Sequence, residues 1–523
     1  MTDNYRNIIQ DITFIGSGIA TSYTLIPLLN QLMAKSPQNK VNITVIEKSE
    51  EHFTGLAYGN RSGATALLIT SLADFLPEGK ERENFISWLS KNKELLIENL
   101  LDKGGVLTKN WVNTHKDEIA NNNWENIYIP RRFFGKYISQ KLNNIINKTK
   151  AFETIHINFV NDEVFSVNRE DSNVFSLQLK NNQTKLSSKK VVLSVGIPPI
   201  KQLWPKTFNQ LYKDQCILIG DPYRTGFRKN LNTITEKART SSEKLNFVII
   251  GSNASAMEMI YKINDIQDIK DQINTITVIS PQGELPNSAV NKNTKKIVFI
   301  PNHLLKLADK ENVTAKEIYE AAQKDLDIAE HKSYSAAITE VPISNGFKAL
   351  LPKLTNTELK AFACHYGNEI GKRQRRAGKH YTDVVDNLIK AQKLINLKGY
   401  FEAIIPDESD KLRFSYKIKR DSTPIISERT VDVVINCTGG KTLNSETVSP
   451  LLDQVISSNL CTPNASLRGF TVDENFQASS NLYIAGPLLA GNIINSQALW
   501  HIEHCGRIIY LGKELAKQLN SSY

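Results

Sequence analysis

Short apolar runs that end on glycine recur along the chain, and each early one is followed by a stretch with helical spacing. Ile12-Thr13-Phe14-Ile15 leads into Gly16-Ser17-Gly18-Ile19-Ala20-Thr21, after which Tyr23, Leu25, Ile26, Leu28, Leu29 and Leu32 recur at the helical period. A second apolar run, Val41-Asn42-Ile43-Thr44-Val45-Ile46, then closes on Glu47. The pattern predicts strand, glycine turn, amphipathic helix and strand. It repeats midway: residues 245–250 are apolar, Gly251-Ser252-Asn253-Ala254-Ser255-Ala256-Met257-Glu258 follows, a helical stretch runs through Ile263, and 275–280 form a second strand ending in Ser280. Residues 190–196 and 432–440 are apolar runs that each deliver a glycine turn, a way for the chain to cross between two such units.

The segments between these units read differently. Residues 156–160 and 173–179 alternate as antiparallel strands do. From about 303 to 397 the pattern is helical, and Thr314-Ala315-Lys316-Glu317 and Thr355-Asn356-Thr357-Glu358 have capping-box spacing. Strands resume at 412–418, and a last helix is expected over 496–519. The fold class expected is α/β, with two Rossmann-like dinucleotide-binding domains and an inserted helical subdomain.

A βαβ turn of this kind carries chemistry. Gly16 permits the sharp exit from the strand, and Gly18 lets backbone N–H groups and the positive helix end approach a pyrophosphate. Glu47 stands where a carboxylate would accept from ribose hydroxyls, though further from Gly16 than the roughly twenty residues usual for this fingerprint. Thr21 replaces the third glycine and should loosen the helix on its strand. In the second unit Asn253 replaces the second glycine, as a residue that tolerates positive φ. Ser280 in place of an acid leaves nothing to repel a 2′-phosphate and favours NADP over NAD.

With 523 residues the chain exceeds one compact core and suggests two or three domains. Its 41% hydrophobic and 23% charged residues are ordinary for a globular protein. No apolar stretch reaches the roughly 18 residues of a membrane span, and the opening Met1-Thr2-Asp3-Asn4-Tyr5-Arg6 has no leader pattern, so a cytoplasmic chain is expected. The cysteines at 216, 364, 437, 461 and 505 form no CxxC pair, which argues against a disulfide framework, a zinc site or a dithiol reductase. The net charge of +10 is spread out, so no nucleic-acid surface is expected. Only Lys372-Arg373-Gln374-Arg375-Arg376-Ala377-Gly378-Lys379-His380 is dense. It reads as a solvated helix face or as an anion site for a cofactor phosphate or an acidic substrate.

In this order the pieces resemble bacterial FAD/NAD(P)-binding proteins related to the flavin-dependent ornithine and lysine N-hydroxylases. Besides the two glycine turns, the resemblance rests on Gly55-Leu56-Ala57-Tyr58-Gly59, Leu67-Leu68-Ile69-Thr70 and Pro130-Arg131-Arg132-Phe133-Phe134-Gly135-Lys136-Tyr137. It rests further on Ser194-Val195-Gly196 and Cys437-Thr438-Gly439 as ATG-like turns, and on Leu482-Tyr483-Ile484-Ala485-Gly486-Pro487-Leu488. The resemblance implies FAD with its pyrophosphate over Gly16, Ser17, Gly18, Ile19, Ala20 and Thr21, and its ribose on Glu47 beside Lys48. The flavin end would lie near Gly196, Gly486, Pro487, Leu488 and Asn492, and Arg131 or Arg132 would meet a cofactor phosphate or else pair at the surface. NADPH, or NADH, would enter at Gly251, Ser252, Asn253, Ala254, Ser255 and Ser280. By the same token residues 1–205 open the FAD domain, 206–302 open the NAD(P)-like domain, 303–397 form a helical insertion over substrate, 398–440 return strands to the second domain, and 441–523 complete the first.

Two departures bound the function. The FxGxxxHxxxW fingerprint of Baeyer–Villiger and flavin monooxygenases is absent, and the ATGY of N-hydroxylases appears as Cys437-Thr438-Gly439-Gly440, without the tyrosine. His501 is the candidate proton shuttle, with His504 beside it, against the reading of helix histidines already satisfied by neighbours; Trp500 reads as core or flavin packing. Three functions remain: an NAD(P)H-dependent flavin monooxygenase acting on a small anionic or amine-bearing molecule, a flavin dehydrogenase or oxidase reduced by its substrate, and a redox-inert FAD scaffold. The sequence points to no oligomeric state.

Overall fold

The structure, a computed structural model, describes residues 8–171, 174–181, 184–223, 227–288, 298–407, 411–502 and 504–522. The strands in chain order begin with β1 (Gln10–Ile15), β2 (Val41–Glu47), β3 (Ile155–Asn161), β4 (Val164–Asp171), β5 (Val174–Leu179), β6 (Lys185–Leu193), β7 (Ile217–Ile219), β8 (Leu245–Ile250) and β9 (Ile273–Ser280). They continue with β10 (Asn287–Ser288), β11 (Arg376–Ala377), β12 (Leu394–Lys398), β13 (Tyr400–Pro406), β14 (Leu412–Lys417), β15 (Ile425–Ile426), β16 (Val433–Asn436), β17 (Gln477–Ser479) and β18 (Leu482–Ile484). A last pair, β19 (Asn492–Ile494) and β20 (Gln497–Leu499), closes the set.

Two parallel sheets organise the chain. The first runs β17-β18-β6-β1-β2-β3, with β4 and β5 added as an antiparallel arm on β6; the second runs β12-β9-β8-β16-β7. In each, the strand that carries the glycine motif lies at the middle, between the strand that follows its helix and a strand returning from elsewhere in the sequence. Thus β1 pairs with β2 and β6, while β8 pairs with β9 and β16. This is where the direction of chain progression reverses, the place where parallel sheets open a ligand crevice. The central strands are buried almost throughout, Asn246 alone being half-buried: Ile12, Phe14, Phe247 and Ile249 are all fully covered. That is why they read as mostly apolar runs rather than alternating ones.

The insertion is a helical unit with its own apolar core, built from Phe299 to Ile370. Its expected end at 397 comes too late, because Tyr381, Val384, Val385 and Leu388 pack with the second sheet and β12 is an edge strand of that sheet. Its helix Ala315–His331 begins with the complete capping box of Thr314 and Glu317. At Thr355 only half the box forms, because the Glu358 carboxylate accepts from Ala315 N at 2.6 Å and so ties two helix starts together. The core of this unit reaches beyond it: Ala498, Ile493 and Trp500 from the C-terminal region pack into it, and β11 pairs with β10 of the second unit.

The last helix departs from expectation. It spans Cys505–Leu519, and the residues expected to begin it form the β19–β20 hairpin instead. Asn495 and Ser496 turn that hairpin with φ of +47° and +61°, the left-handed pair of a two-residue turn, which a helix cannot contain.

Candidate dinucleotide sites

At the first turn the backbone fixes which glycines are structural. Gly16 has φ +97°, and a Cβ there would lie 2.4 Å from Ser194 O on the neighbouring crossing, so the fold itself demands glycine. Gly18 is different. Its φ of −76° is open to any residue, and a Cβ would make only an ordinary contact at 3.6 Å with Gly55 Cα. What a side chain at Gly18 would fill is the space above the start of the helix Ile19–Lys35. That helix begins with no side-chain cap and no acid in its first turn, leaving N–H donors and a positive end there. The bare surface and free donors fit a dinucleotide pyrophosphate.

The surrounding groups hold this turn in shape. Glu47, 8% exposed, accepts from Ser17 N at 2.9 Å and Oγ at 3.2 Å, and from Ser49 N at 3.0 Å and Oγ at 2.9 Å. Burial pushes its carboxyl upward, but these donors outweigh burial and hold it below the ordinary carboxylate value. Thr21 does not loosen the turn, contrary to the reading from sequence. Fully buried, it donates to Gly16 O at 2.7 Å and meets Ser194 Oγ at 2.9 Å, stapling helix, turn and crossing together. Gly486, at φ +74°, brings the C-terminal turn onto the first turn of the same helix, where a Cβ would lie 3.1 Å from Ala20 Cβ. Gly196, at φ +78°, has nothing within 4 Å of a would-be Cβ and leaves the crossing open.

The second turn copies the backbone and changes the chemistry. Gly251 has φ +102°, and its Cβ would strike Cys437 O at 2.6 Å, the counterpart of the Gly16 contact with Ser194. Asn253 sits at φ −91°, so its place in the motif requires no positive φ, contrary to expectation. Its side chain does not cap the helix Ala254–Asp265, and its Oδ1 instead accepts from Arg375 of the insertion. At the strand end Ser280 is buried; its Oγ accepts from Gly283 N at 3.0 Å and its carbonyl from Gly399 N at 2.9 Å. The basic cluster therefore divides. Arg373 pairs with Asp327 and Glu330, Arg376 with Glu340, and Lys372 with Glu369, whereas Arg375 reaches the dinucleotide turn.

Beneath this turn lies a buried charged cluster whose pairing the sequence did not disclose. Arg131 pairs with Glu258 at 2.8 Å, joining the start of the helix Arg131–Thr149 to the helix after the second turn. Burial works against the guanidinium charge, and the Glu258 carboxylate overrides it and raises its pKa. One helical turn on, Lys262 contacts Thr65, and burial pulls its ammonium down to about 8 although Asp265 and Glu258 favour its charge. Asp265 in turn accepts from Thr108 N and Oγ1, both at 2.8 Å. The signal was available, since Glu258, Lys262 and Asp265 break the apolar pattern of a helix that is buried almost all round.

The remaining candidates scatter. Lys48 is exposed and 3.8 Å from Glu163. Asn492 is a structural staple, its Nδ2 donating to Phe470 O and Leu489 O and its Oδ1 accepting from Val472 N. Pro487 and Leu488 lie in a short 3-10 turn, with Leu488 buried in the main core. His504 caps the last helix by its backbone and meets Asp74 O with Nε2 at 3.1 Å. His501 has its ring against Trp500, at 5.7 Å between centroids, and Trp500 in turn meets Phe362 of the insertion at 5.5 Å. Arg132 lines an open cleft beside the segment 51–58. All five cysteines are free and buried.

Comparison with known proteins agrees with this architecture. Residues 13–198, from β1 to just past β6, match the model of a family described as FAD-NAD(P)-binding. Over 518 residues the chain is 28% identical to an uncharacterized protein of Mycobacterium tuberculosis, covering 98% of this chain and 95% of the relative. Its fold is shared with the ornithine N-hydroxylase of Kutzneria sp. 744, at a TM-score of 0.52 and 13% identity, covering 97% and 99% of the two chains. It is likewise shared with the cadaverine monooxygenase of desferrioxamine biosynthesis from Erwinia amylovora, a structure bound to FAD, at a TM-score of 0.53 and 10% identity over 99% and 95%. The chain thus has the fold of two-domain flavoprotein monooxygenases. Among the described residues, no helix is long and apolar enough to cross a membrane.

Proposed function

We propose that this protein is an FAD-dependent oxidoreductase, and most specifically an NADPH-dependent monooxygenase of the N-hydroxylating kind acting on a small polar molecule. The observation that carries the reading is the pair of glycine turns, each locked against its own crossing, with the first open at Gly18 over an uncapped helix end. FAD would lie on Gly16 to Thr21 with its ribose toward Glu47, and NADPH on Gly251 to Ser255 with Arg375 at hand. The family match over 13–198 and the fold shared with FAD-bound monooxygenases support this assignment.

When bound, the flavin supplies the hydride acceptance and oxygen chemistry, and the protein supplies binding, orientation and electrostatics. The first-turn N–H groups of the helix Ile19–Lys35 would balance pyrophosphate charge. Glu47 remains ionised at neutral pH and offers acceptors to ribose hydroxyls. The crossing at Ser194 and the C-terminal turn at Gly486 fix the angle of approach over Ala20. At the second turn Arg375 would exchange its amide partner for a phosphate oxygen, a stronger charge-assisted bond. The insertion, anchored to Trp500, would screen the substrate from water.

A second reading has an observation of its own. Asn253 places a side chain where the first turn has a bare glycine, and Arg375 occupies it, so the second turn would no longer accept a nicotinamide dinucleotide and substrate itself would reduce the flavin. Anaerobic addition of NADPH to the purified protein, followed in the flavin absorption band, decides between them. Rapid bleaching is expected. Bleaching by an organic substrate alone would select the second reading, and a colourless protein that takes up no FAD would sink both.

A further inference from the structure

A cleft of about 350 Å³ opens between the segment 51–58 and the outer face of the helix Arg131–Thr149. Its lining separates charge. Arg132 and Lys136 stand one helical turn apart on one wall, and Glu51 stands on the other. Among the described residues neither cation has a carboxylate within ion-pair distance. Like charges at i and i+4 on a helix are unfavourable in themselves, and no protein group here relieves them. Lys136 registers the strain: burial, then the charges of Arg132 and Lys103, hold its ammonium below the ordinary lysine value. On the same wall as Glu51, Thr54, 4% exposed, lines the cleft with a buried Oγ1 that has no hydrogen-bond partner. Such an orphaned hydroxyl costs free energy unless something completes it. Glu51 is positioned by Asn60 N, which donates to its Oε2 at 2.6 Å, and Gly59 makes room for both groups, since a Cβ there would lie 2.5 Å from Thr54 Oγ1 and 2.6 Å from Glu51 Oε2.

We propose that this cleft binds a small dipolar metabolite, with its oxyanion on Arg132, Lys136 and Thr54 Oγ1 and its protonated amine or hydroxyl on Glu51. A guanidinium fork beside a point-charge ammonium suits a phosphate or carboxylate, and an unpaired carboxylate facing them selects a ligand with a donor at its other end. The site goes beyond the flavin reading, which uses the backbone of Gly16 to Thr21 and not the outer face of this helix.

Calorimetric titration of the full-length protein, loaded with FAD, with O-phosphoethanolamine, L-alanine and inorganic phosphate tests it. Saturable binding of O-phosphoethanolamine or L-alanine, tighter than that of inorganic phosphate, is expected; which of the two binds tells phosphate from carboxylate. Arg132→Gln and Lys136→Gln should each weaken that binding about tenfold. Glu51→Gln should abolish the preference for the amine-bearing probe. In Lys136→Gln and Glu51→Gln the flavin absorbance per chain should stay at the wild-type value. The proposal is overturned if no probe saturates, if Arg132→Gln binds as wild type does, or if FAD is lost in step with charge at 132 and 136, since the cleft would then belong to FAD. A wild-type protein that binds no FAD would overturn the flavin reading, and the same titration would still judge this one.

Discussion

The two glycine turns share a backbone and differ in what the backbone is for. In both, the first glycine is pressed against the carbonyl of a crossing strand, Ser194 at one and Cys437 at the other. Beyond that contact they part. The first turn has a bare Gly18, a threonine staple and an ionised Glu47, all from one βαβ unit. The second has a side chain at Asn253, a buried Ser280 spent on a loop, and an arginine borrowed from an insertion more than a hundred positions later. The shape of such a turn rests on one close contact with a crossing, while its chemistry is drawn from elsewhere in the chain.

The largest effect should come from breaking the part they share. Gly16→Ala and Gly251→Ala each combine a positive φ with a Cβ inside van der Waals contact of a carbonyl, and each should cost about 2–5 kcal/mol in chemical denaturation. If one is tolerated, the two crossings are not equivalent. Substituting the second position should separate the turns without unfolding either. Gly18→Val should retain the fold and lower FAD affinity by about a hundredfold, near 3 kcal/mol, read as flavin absorbance per chain. Asn253→Gly should lower the KM for NADPH and leave FAD content unchanged; a raised KM would mean that the Arg375 contact prepares the site rather than blocks it. The smallest effect is a pH dependence. The Glu47 carboxyl lies below its ordinary value in the folded protein, so its contribution is complete above the unfolded value and fades as pH falls through the folded one. Glu47→Gln should therefore lower the melting temperature at neutral pH and converge on wild type in acid.

Much of this was legible in the chain. The central strands announce themselves because burial on both faces leaves them mostly apolar, with Thr13 and Asn246 as interruptions, and the two capping-box starts of the insertion fall where the spacing places them. The misreadings share a cause, which is partners far away in sequence. Thr21 reads as a defective glycine until Ser194 is seen beside it, and Glu358 reads as half of a local cap until it reaches Ala315. The late start of the last helix is the exception, because Asn495-Ser496 is a local turn signal that the apolar spacing around it overrode. Arg131 was read as phosphate contact or surface pair, whereas it closes a buried ion pair with a glutamate on another unit.

The insertion touches both nucleotide units at once, through Trp500 on one side and the β10–β11 pairing on the other. Mechanically it is a tie bar rather than a flap. A rotation of the second unit against the first would have to stretch or carry it, and Arg375, at the second turn, hangs from the same bar that packs on Trp500.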